Sequence, residues 1–164
     1  MNSSLDPTVD CKSRVLILGD VPGKLSLARR QYYANPSNQF WKIIFGIWGS
    51  RPAEPYEHRI AFLLEKRIAL WDVLKVGGEG CGPSPNNLYG FLRAHPHIIH
   101  IFFNGKEAKI LFENSAAPGL DPSIGLGLLP SSSGMNTHLT LDQKIDAWMA
   151  IRKLLDTSDV RRFD

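Results

Sequence analysis

Three observations predict a single-domain, three-layer α/β/α sandwich with a central, mainly parallel four-stranded sheet. Short apolar runs alternate with segments of helical period, the pattern of strands joined by crossover helices. The runs are almost continuously apolar, as expected for strands covered on both faces. Turn-forming residues, namely Gly19, the pair Asn104 and Gly105, and Pro130, close three of these runs.

In chain order, residues 1–12 are polar and are expected to form a flexible segment ahead of a domain spanning 13–158, with a short tail over 159–164. Arg14 to Gly19 (RVLILG) reads as a buried strand. Asn38 to Trp48 reads as a helix with Phe40, Ile43, Ile44 and Ile47 on one side. A proline-rich loop leads to a second amphipathic helix, Tyr56 to Lys66, which feeds the strand Arg67 to Asp72 (RIALWD). Gly77 to Asn87 is dense in Gly, Pro and Asn and is expected to be a loop. A short helix over Leu88 to Ala94 follows, then a strand over Ile98 to Phe103 and a helix over Lys106 to Glu113. Ile124 to Leu129 suggests a fourth strand, weakened by Gly125 and Gly127. The last helix, Asp142 to Leu155, carries Ile145, Trp148, Met149, Ile151 and Leu155 on its apolar face.

The 164 residues fit one domain with a real core. No apolar run is long enough to span a bilayer. The polar start has neither a basic n-region nor an apolar h-region, so an intracellular location is expected. The two cysteines, Cys11 and Cys81, lie far apart, and none of the five histidines falls in a ligand motif. Zinc or an iron–sulfur cluster needs about four such ligands, so no metal is expected. A net charge of +3 permits a polyanionic partner without requiring one.

In parallel sheets ligands gather beyond the carboxyl ends of the strands, which directs attention to the segments following each run. Gly19-Asp20-Val21-Pro22-Gly23 follows the first. A Gly-x-x-Pro-Gly turn bends sharply and leaves backbone N–H groups pointing outward. A nucleotide P-loop is excluded: the spacing to Gly23 and Lys24 is too short, and Leu25 stands where a metal-binding hydroxyl is needed.

The stretch from Ser26 to Trp41 extends this turn into a recognisable pattern. Tyr33-Ala34-Asn35-Pro36-Ser37-Asn38-Gln39-Phe40-Trp41 resembles the aromatic-Ala-His-Pro-x-Asn-x-Phe-Trp stretch of the hypoxanthine-DNA glycosylase branch of the uracil-DNA glycosylase superfamily, with Asn35 in place of the usual His. It is also similar to the mismatch-specific uracil (thymine) glycosylases. Further segments fall in the family's order: Ala69 to Leu74, Phe103 to Gly105, and Leu129 to Asn136. The resemblance covers roughly Arg14 to Leu155.

It implies a monofunctional enzyme that turns a deaminated base, hypoxanthine or uracil, out of DNA and hydrolyses its N-glycosidic bond with water. The partner is then DNA holding deaminated or mismatched bases, a monomer is the expected state, and no metal or organic cofactor is required. Such chemistry needs groups that position water, donors for the departing anion, and an aromatic face for the extruded base. A non-catalytic damage-binding relative and a nucleoside hydrolase of the same fold stand as alternatives.

The resemblance makes Asn38 the leading catalytic candidate, its amide offering both donor and acceptor; its place also suits a helix cap. Asp20 is the second: it either activates water or bonds the turn's own N–H groups, the latter being favoured. Val21 stands where much of the superfamily has a water-activating Asp or Asn, and Leu129 where it often has His. Tyr33 matches the stacking aromatic, or packs in the core. Asp72 falls where relatives read the base edge, or caps its strand. Asn104 is a site residue or a turn residue, and Gly19 and Gly23 would let the base approach the backbone. Ser131, Ser132 and Ser133 are expected to donate to DNA phosphates. Met135 either fills the gap left by the extruded base or packs against the last helix.

Overall fold

In the computed structural model, residues 4–115 and 119–160 are described. Five-residue β1 (Val15–Gly19), β2 (Ile68–Asp72), β5 (His100–Asn104) and β6 (Gly125–Leu129) form the main sheet. Its order is β2-β1-β5-β6 and all its pairings are parallel. Two-residue strands β3 (Leu74–Lys75), just ahead of the expected loop, and β4 (Ser84–Pro85), inside it, make an antiparallel clip.

The helices are α1 (Lys24–Arg29), α2 (Phe40–Gly46), α3 (Tyr56–Glu65), α4 (Leu88–Ala94), α5 (Lys106–Ser115) and α6 (Leu141–Val160). Alternate residues of each strand face opposite layers. Ile17, Leu70 and Phe102 enter a core with Phe40, Ile44 and Trp148 from α2 and α6. Leu16, Leu18 and Phe103 enter a second core with Phe91 and Phe112 from α4 and α5. The expected sandwich is therefore present. No helix among the described residues is long and apolar enough to cross a membrane.

The two ends of the domain and the glycines of β6 depart from the sequence expectation, and the helix expected over Asn38 to Trp48 is confined to Phe40–Gly46. The N-terminal segment is docked from Leu5 onward. Leu5 is buried, Tyr32 donates to the Asp6 carbonyl, and Thr8 exchanges two 2.9 Å backbone bonds with Leu70. It covers the β2 edge, whose open N–H and C=O groups would otherwise face water. At the other end α6 runs on to Val160, so the expected tail begins inside a helix, with Asp159 paired to Arg67 at 3.0 Å. The rest of that tail lies outside the described residues. The glycines of β6 do not break it: they make room, since a β-carbon at Gly125 would collide with the His100 ring and one at Gly127 would lie 2.8 Å from the Phe102 ring.

Candidate active site

The strands end at Gly19, Asp72, Asn104 and Leu129, with Gly19 level with Asp72 and Asn104 level with Leu129. Parallel strands deliver these four ends to one side of the sheet, and the candidate residues converge there. Gly19 must be glycine because two side chains cross it. A β-carbon there would lie 2.5 Å from Asp72 Oδ1 and 2.9 Å from the Tyr33 hydroxyl oxygen.

Tyr33 sits in the left-handed region (φ 53°), a conformation that costs a non-glycine residue about 1–2 kcal/mol and survives only where the surroundings hold it. Two contacts do so. Its ring stacks on Phe40 at 4.0 Å between centroids, and its hydroxyl accepts from Asn104 Nδ2 at 3.0 Å. Burial, then the Asp72 carboxylate, push the Tyr33 hydroxyl above its ordinary pKa, so it stays protonated.

Asn104 and Ser132 extend the chain of bonds. Asn104 Nδ2 also donates to Ser132 Oγ (2.9 Å), while Ser132 N–H donates back to Asn104 Oδ1 (2.9 Å). Ser132 Oγ then donates to Asn38 Oδ1 at 2.8 Å. The network runs Tyr33, Asn104, Ser132, Asn38 and joins three loops distant in sequence. It revises two expectations. Ser132 is fully buried with its hydroxyl spent inside, so it is not free for a DNA phosphate. Asn104 spends both amide N–H groups on Tyr33 and Ser132, so neither is free to donate to a base.

Asn38 Oδ1 also accepts from Phe40 N–H, the first residue of α2, at 2.9 Å. Asn38 thus bonds the first N–H of the helix from one position ahead of its cap, which is Gln39 and not Asn38 as the sequence suggested. Two donors on one oxygen fix the amide orientation, because a backbone N–H requires oxygen opposite it. The Asn38 NH2 makes no hydrogen bond among the described residues and is left as a fixed donor.

Asp72 is buried, 6% exposed, and no hydrogen bond reaches its carboxyl group among the described residues. Burial first, and the Asp20 carboxylate second, raise its pKa from 3.8 to about 7. Its carbonyl is held by Asn86 Nδ2 at 2.9 Å, which anchors the Gly- and Pro-rich loop behind it. Asp20 Oδ1 accepts from Val21 N–H at 2.8 Å, the turn-bonding role favoured from sequence. Gly23 has ordinary backbone (φ −70°), and nothing lies within 4 Å of where a β-carbon would stand, so its bareness leaves open space beside the turn.

The Pro130 to Asn136 loop is self-braced. Ser133 N–H donates to Ser131 Oγ and Met135 N–H to Ser133 Oγ, both at 3.2 Å. Both hydroxyls act as acceptors here and retain their own protons for donation. Met135 at the tip is 92% exposed, so it does not pack against α6. From beneath, Trp148 Nε1 donates to the Pro130 carbonyl (2.9 Å), and Lys144 Nζ to Gln39 Oε1 (2.7 Å) and the Ser133 carbonyl (3.2 Å). Lys144 is 1% exposed and burial lowers its pKa. Sequence reasoning missed it. The available signal was a lysine in line with Trp148, Ile151 and Leu155 on an apolar helix face, a place for a charge only if it has partners.

Beside Tyr33 and Asn38 lies a cleft of about 370 Å³ lined by Arg29, Lys42 and Arg59, the last paired with Glu54. No group of three or more His, Cys, Asp or Glu gathers as a metal site among the described residues.

A parallel α/β sheet thus carries, beyond its carboxyl strand ends, a buried polar network, the Tyr33–Phe40 ring stack and an exposed loop tip. No protein-family model matches the chain. It is 32% identical over 151 residues to a hypoxanthine DNA glycosylase of Methanosarcina acetivorans, covering 87% of this chain and 92% of that protein. A hypoxanthine DNA glycosylase of Methanosarcina barkeri is 31% identical over 150 residues with the same coverage. The solution NMR structure of a Methanosarcina acetivorans protein, described provisionally as a uracil DNA glycosylase, superposes with a TM-score of 0.74 at 27% identity, covering 94% of this chain and 98% of that one. The chain belongs to the hypoxanthine DNA glycosylase family of the uracil-DNA glycosylase superfamily.

Proposed function

We propose that the protein is a monofunctional DNA glycosylase that releases hypoxanthine in preference to uracil, with water as nucleophile and an abasic site as product. The observation that carries this reading is the Asn38 amide, whose oxygen is doubly occupied and whose NH2 is left as a donor beside the cleft that Tyr33 and Asn38 line. A preorganised donor of this kind stabilises charge developing on a departing base without having to reorganise at the moment of reaction. Tyr33, braced by Phe40 and Asn104, offers the ring face on which the base stacks. Asp72 lies at the base edge, and Asp20 holds the turn.

On the DNA side, Ser131 and Ser133 donate to phosphates flanking the lesion and Met135 enters the stack. Arg29 and Lys42 add the salt-dependent part of binding. One chain supplies every group in this scheme, so a monomer inside the cell suffices, acting on deaminated and, secondarily, mismatched bases.

The test uses labelled duplexes bearing hypoxanthine, uracil, xanthine or a G·T mismatch, treated with excess protein and then alkali. Strand scission should be strongest at hypoxanthine and indifferent to a chelator. If none of the four duplexes becomes alkali-labile while damaged DNA is still bound, the protein is a non-catalytic relative. Hydrolysis of free inosine in place of DNA would make it a nucleoside hydrolase.

A further inference from the structure

We propose that Asp72 is the general acid that protonates the leaving purine, an inference that rests on the hypoxanthine reading above. The carboxyl group ends β2 beside the bare backbone of Gly19, and it and the Tyr33 hydroxyl both come within about 3 Å of one point over that glycine. A base stacked on Tyr33 therefore has this carboxyl at its edge. No N–H or O–H among the described residues satisfies the group, although it is 6% exposed. An ionised carboxylate in such a place is costly, because burial strips most of its water and no donor among the described residues replaces it.

The titratable groups facing it are Asp20 from the turn after β1 and the Tyr32 and Tyr33 hydroxyls from the loop after α1, and none of them is cationic. Asp20 opposes a second negative charge nearby. Burial and Asp20 together put its pKa at about 7, so a large fraction carries a proton at neutral pH. The surroundings of the two carboxyl groups differ: Asp20 accepts the Val21 N–H, whereas no such donor reaches Asp72, which holds the proton.

Hypoxanthine is a poor leaving group as an anion and a good one when N7 is protonated. In the proposed step the Asp72 proton moves to N7, and the C1′–N9 bond breaks with its electron pair going to the base. The base departs neutral, and the oxocarbenium carbon takes up water. The proton released by that water returns to the Asp72 carboxylate through solvent, so atoms and charge balance with water as the only co-reactant. Uracil leaves as an anion delocalised over its ring and carbonyl oxygens, without need of this acid. Asp72 thus biases the site toward purines.

The experiment is single-turnover excision between pH 5 and 9 from duplexes containing hypoxanthine, 7-deazahypoxanthine or uracil, with the wild-type protein and Asp72→Asn. For wild type, hypoxanthine release should fall about tenfold per pH unit on the alkaline side, and the 7-deaza base, which has no N7 to protonate, should be released at least about 100-fold more slowly. Asp72→Asn should lose about 100-fold or more on hypoxanthine together with the pH dependence, while losing less than about tenfold on uracil. Equal losses on hypoxanthine and uracil, or a wild-type pH profile in Asp72→Asn, would overturn the assignment. Ready release of the 7-deaza base by wild type would overturn it too, without any variant. If wild type releases uracil but no hypoxanthine at any pH, the substrate reading itself fails and the inference goes with it.

Discussion

Ser132 Oγ lies 2.8 Å from Asn38 Oδ1, a bond between residues 94 positions apart. With Phe40 N–H on the same oxygen, it prevents the amide from turning its oxygen toward a ligand. Ser132→Ala should release that constraint. It leaves Asn38 Oδ1 with one donor fewer and Asn104 Nδ2 without one acceptor, at about 1–3 kcal/mol of stability. Excision should slow while KM stays near its wild-type value, a split readable by steady-state kinetics. A rise in KM alone would make Ser132 a packing residue.

Asn38 acts as a donor in this arrangement, and Asp is the substitution that isolates the point. Asn38→Asp keeps an oxygen for Phe40 N–H but has no NH2. It should lose about as much as Asn38→Ala, about 100-fold or more in excision rate. Duplex binding should survive in both. An Asp variant close to wild type would show that the acceptor, positioning water, is the working group.

Tyr33→Phe would pass as conservative if the ring alone mattered. The Asn104 bond makes the hydroxyl matter as well, because the phenyl ring leaves Asn104 Nδ2 short of an acceptor. The variant should melt lower by about 1–3 kcal/mol yet keep its base-dependent binding. Tyr33→Ala should lose roughly 1–3 kcal/mol of that binding, with circular dichroism verifying that it is folded.

Asp72 links pH to stability with a definite sign. The folded chain holds this proton up to about pH 7 and the unfolded chain releases it near 3.8. Between the two the folded state binds more protons, so the contribution is fully present below 3.8 and is lost as pH rises through 7. Its ceiling is about 4 kcal/mol at ~1.4 kcal/mol per tenfold change in proton affinity. Asp72→Asn should therefore be more stable than wild type at pH 8, with the difference shrinking toward pH 4. Denaturant melts at both pH values measure it; a difference that does not change with pH would mean Asp72 does not titrate in this range.

What could be read in advance follows the range of the interactions. Periodicity and punctuation are local, so Leu88 to Ala94 was legible as a helix at its observed bounds, and the strand ends pointed to Gly19, Asp72 and Asn104. The six-residue α1 was not, because Lys24 to Arg29 is too short to show a helical period after a Pro-Gly turn. The docking of Leu5 was hidden as well, since a polar segment gives no sign of the Trp71 and Tyr32 side chains that bond its backbone. At the site, residue types were visible but their wiring was not. That Asn104 serves Tyr33 and Ser132 depends on partners 71 and 28 positions away. Sequence spacing carries no record of that.

Met135 is the last expectation and the one in which exposure itself is informative. Among the described residues few large apolar side chains are exposed, and Met135 at 92% is the most exposed of them. It stands on a braced support: Ser133 Oγ accepts the Met135 N–H and Ser131 Oγ the Ser133 N–H, Trp148 and Lys144 hold the loop from below, and Gly134 presses so closely on Ser37 that a β-carbon would collide with the Ser37 carbonyl oxygen. A flexible side chain on a rigid base suits insertion into a gap whose opening costs a few kcal/mol of stacking. Met135→Ala should therefore slow excision from paired duplex by about tenfold or more, the equivalent of ~1.4 kcal/mol. Single-stranded substrate, where little stacking is broken, should be affected far less. Thermal stability should hardly move, since the side chain touches little of the protein. Equal slowing on both substrates would remove Met135 from the stack, and the wedge would then have to come from another residue.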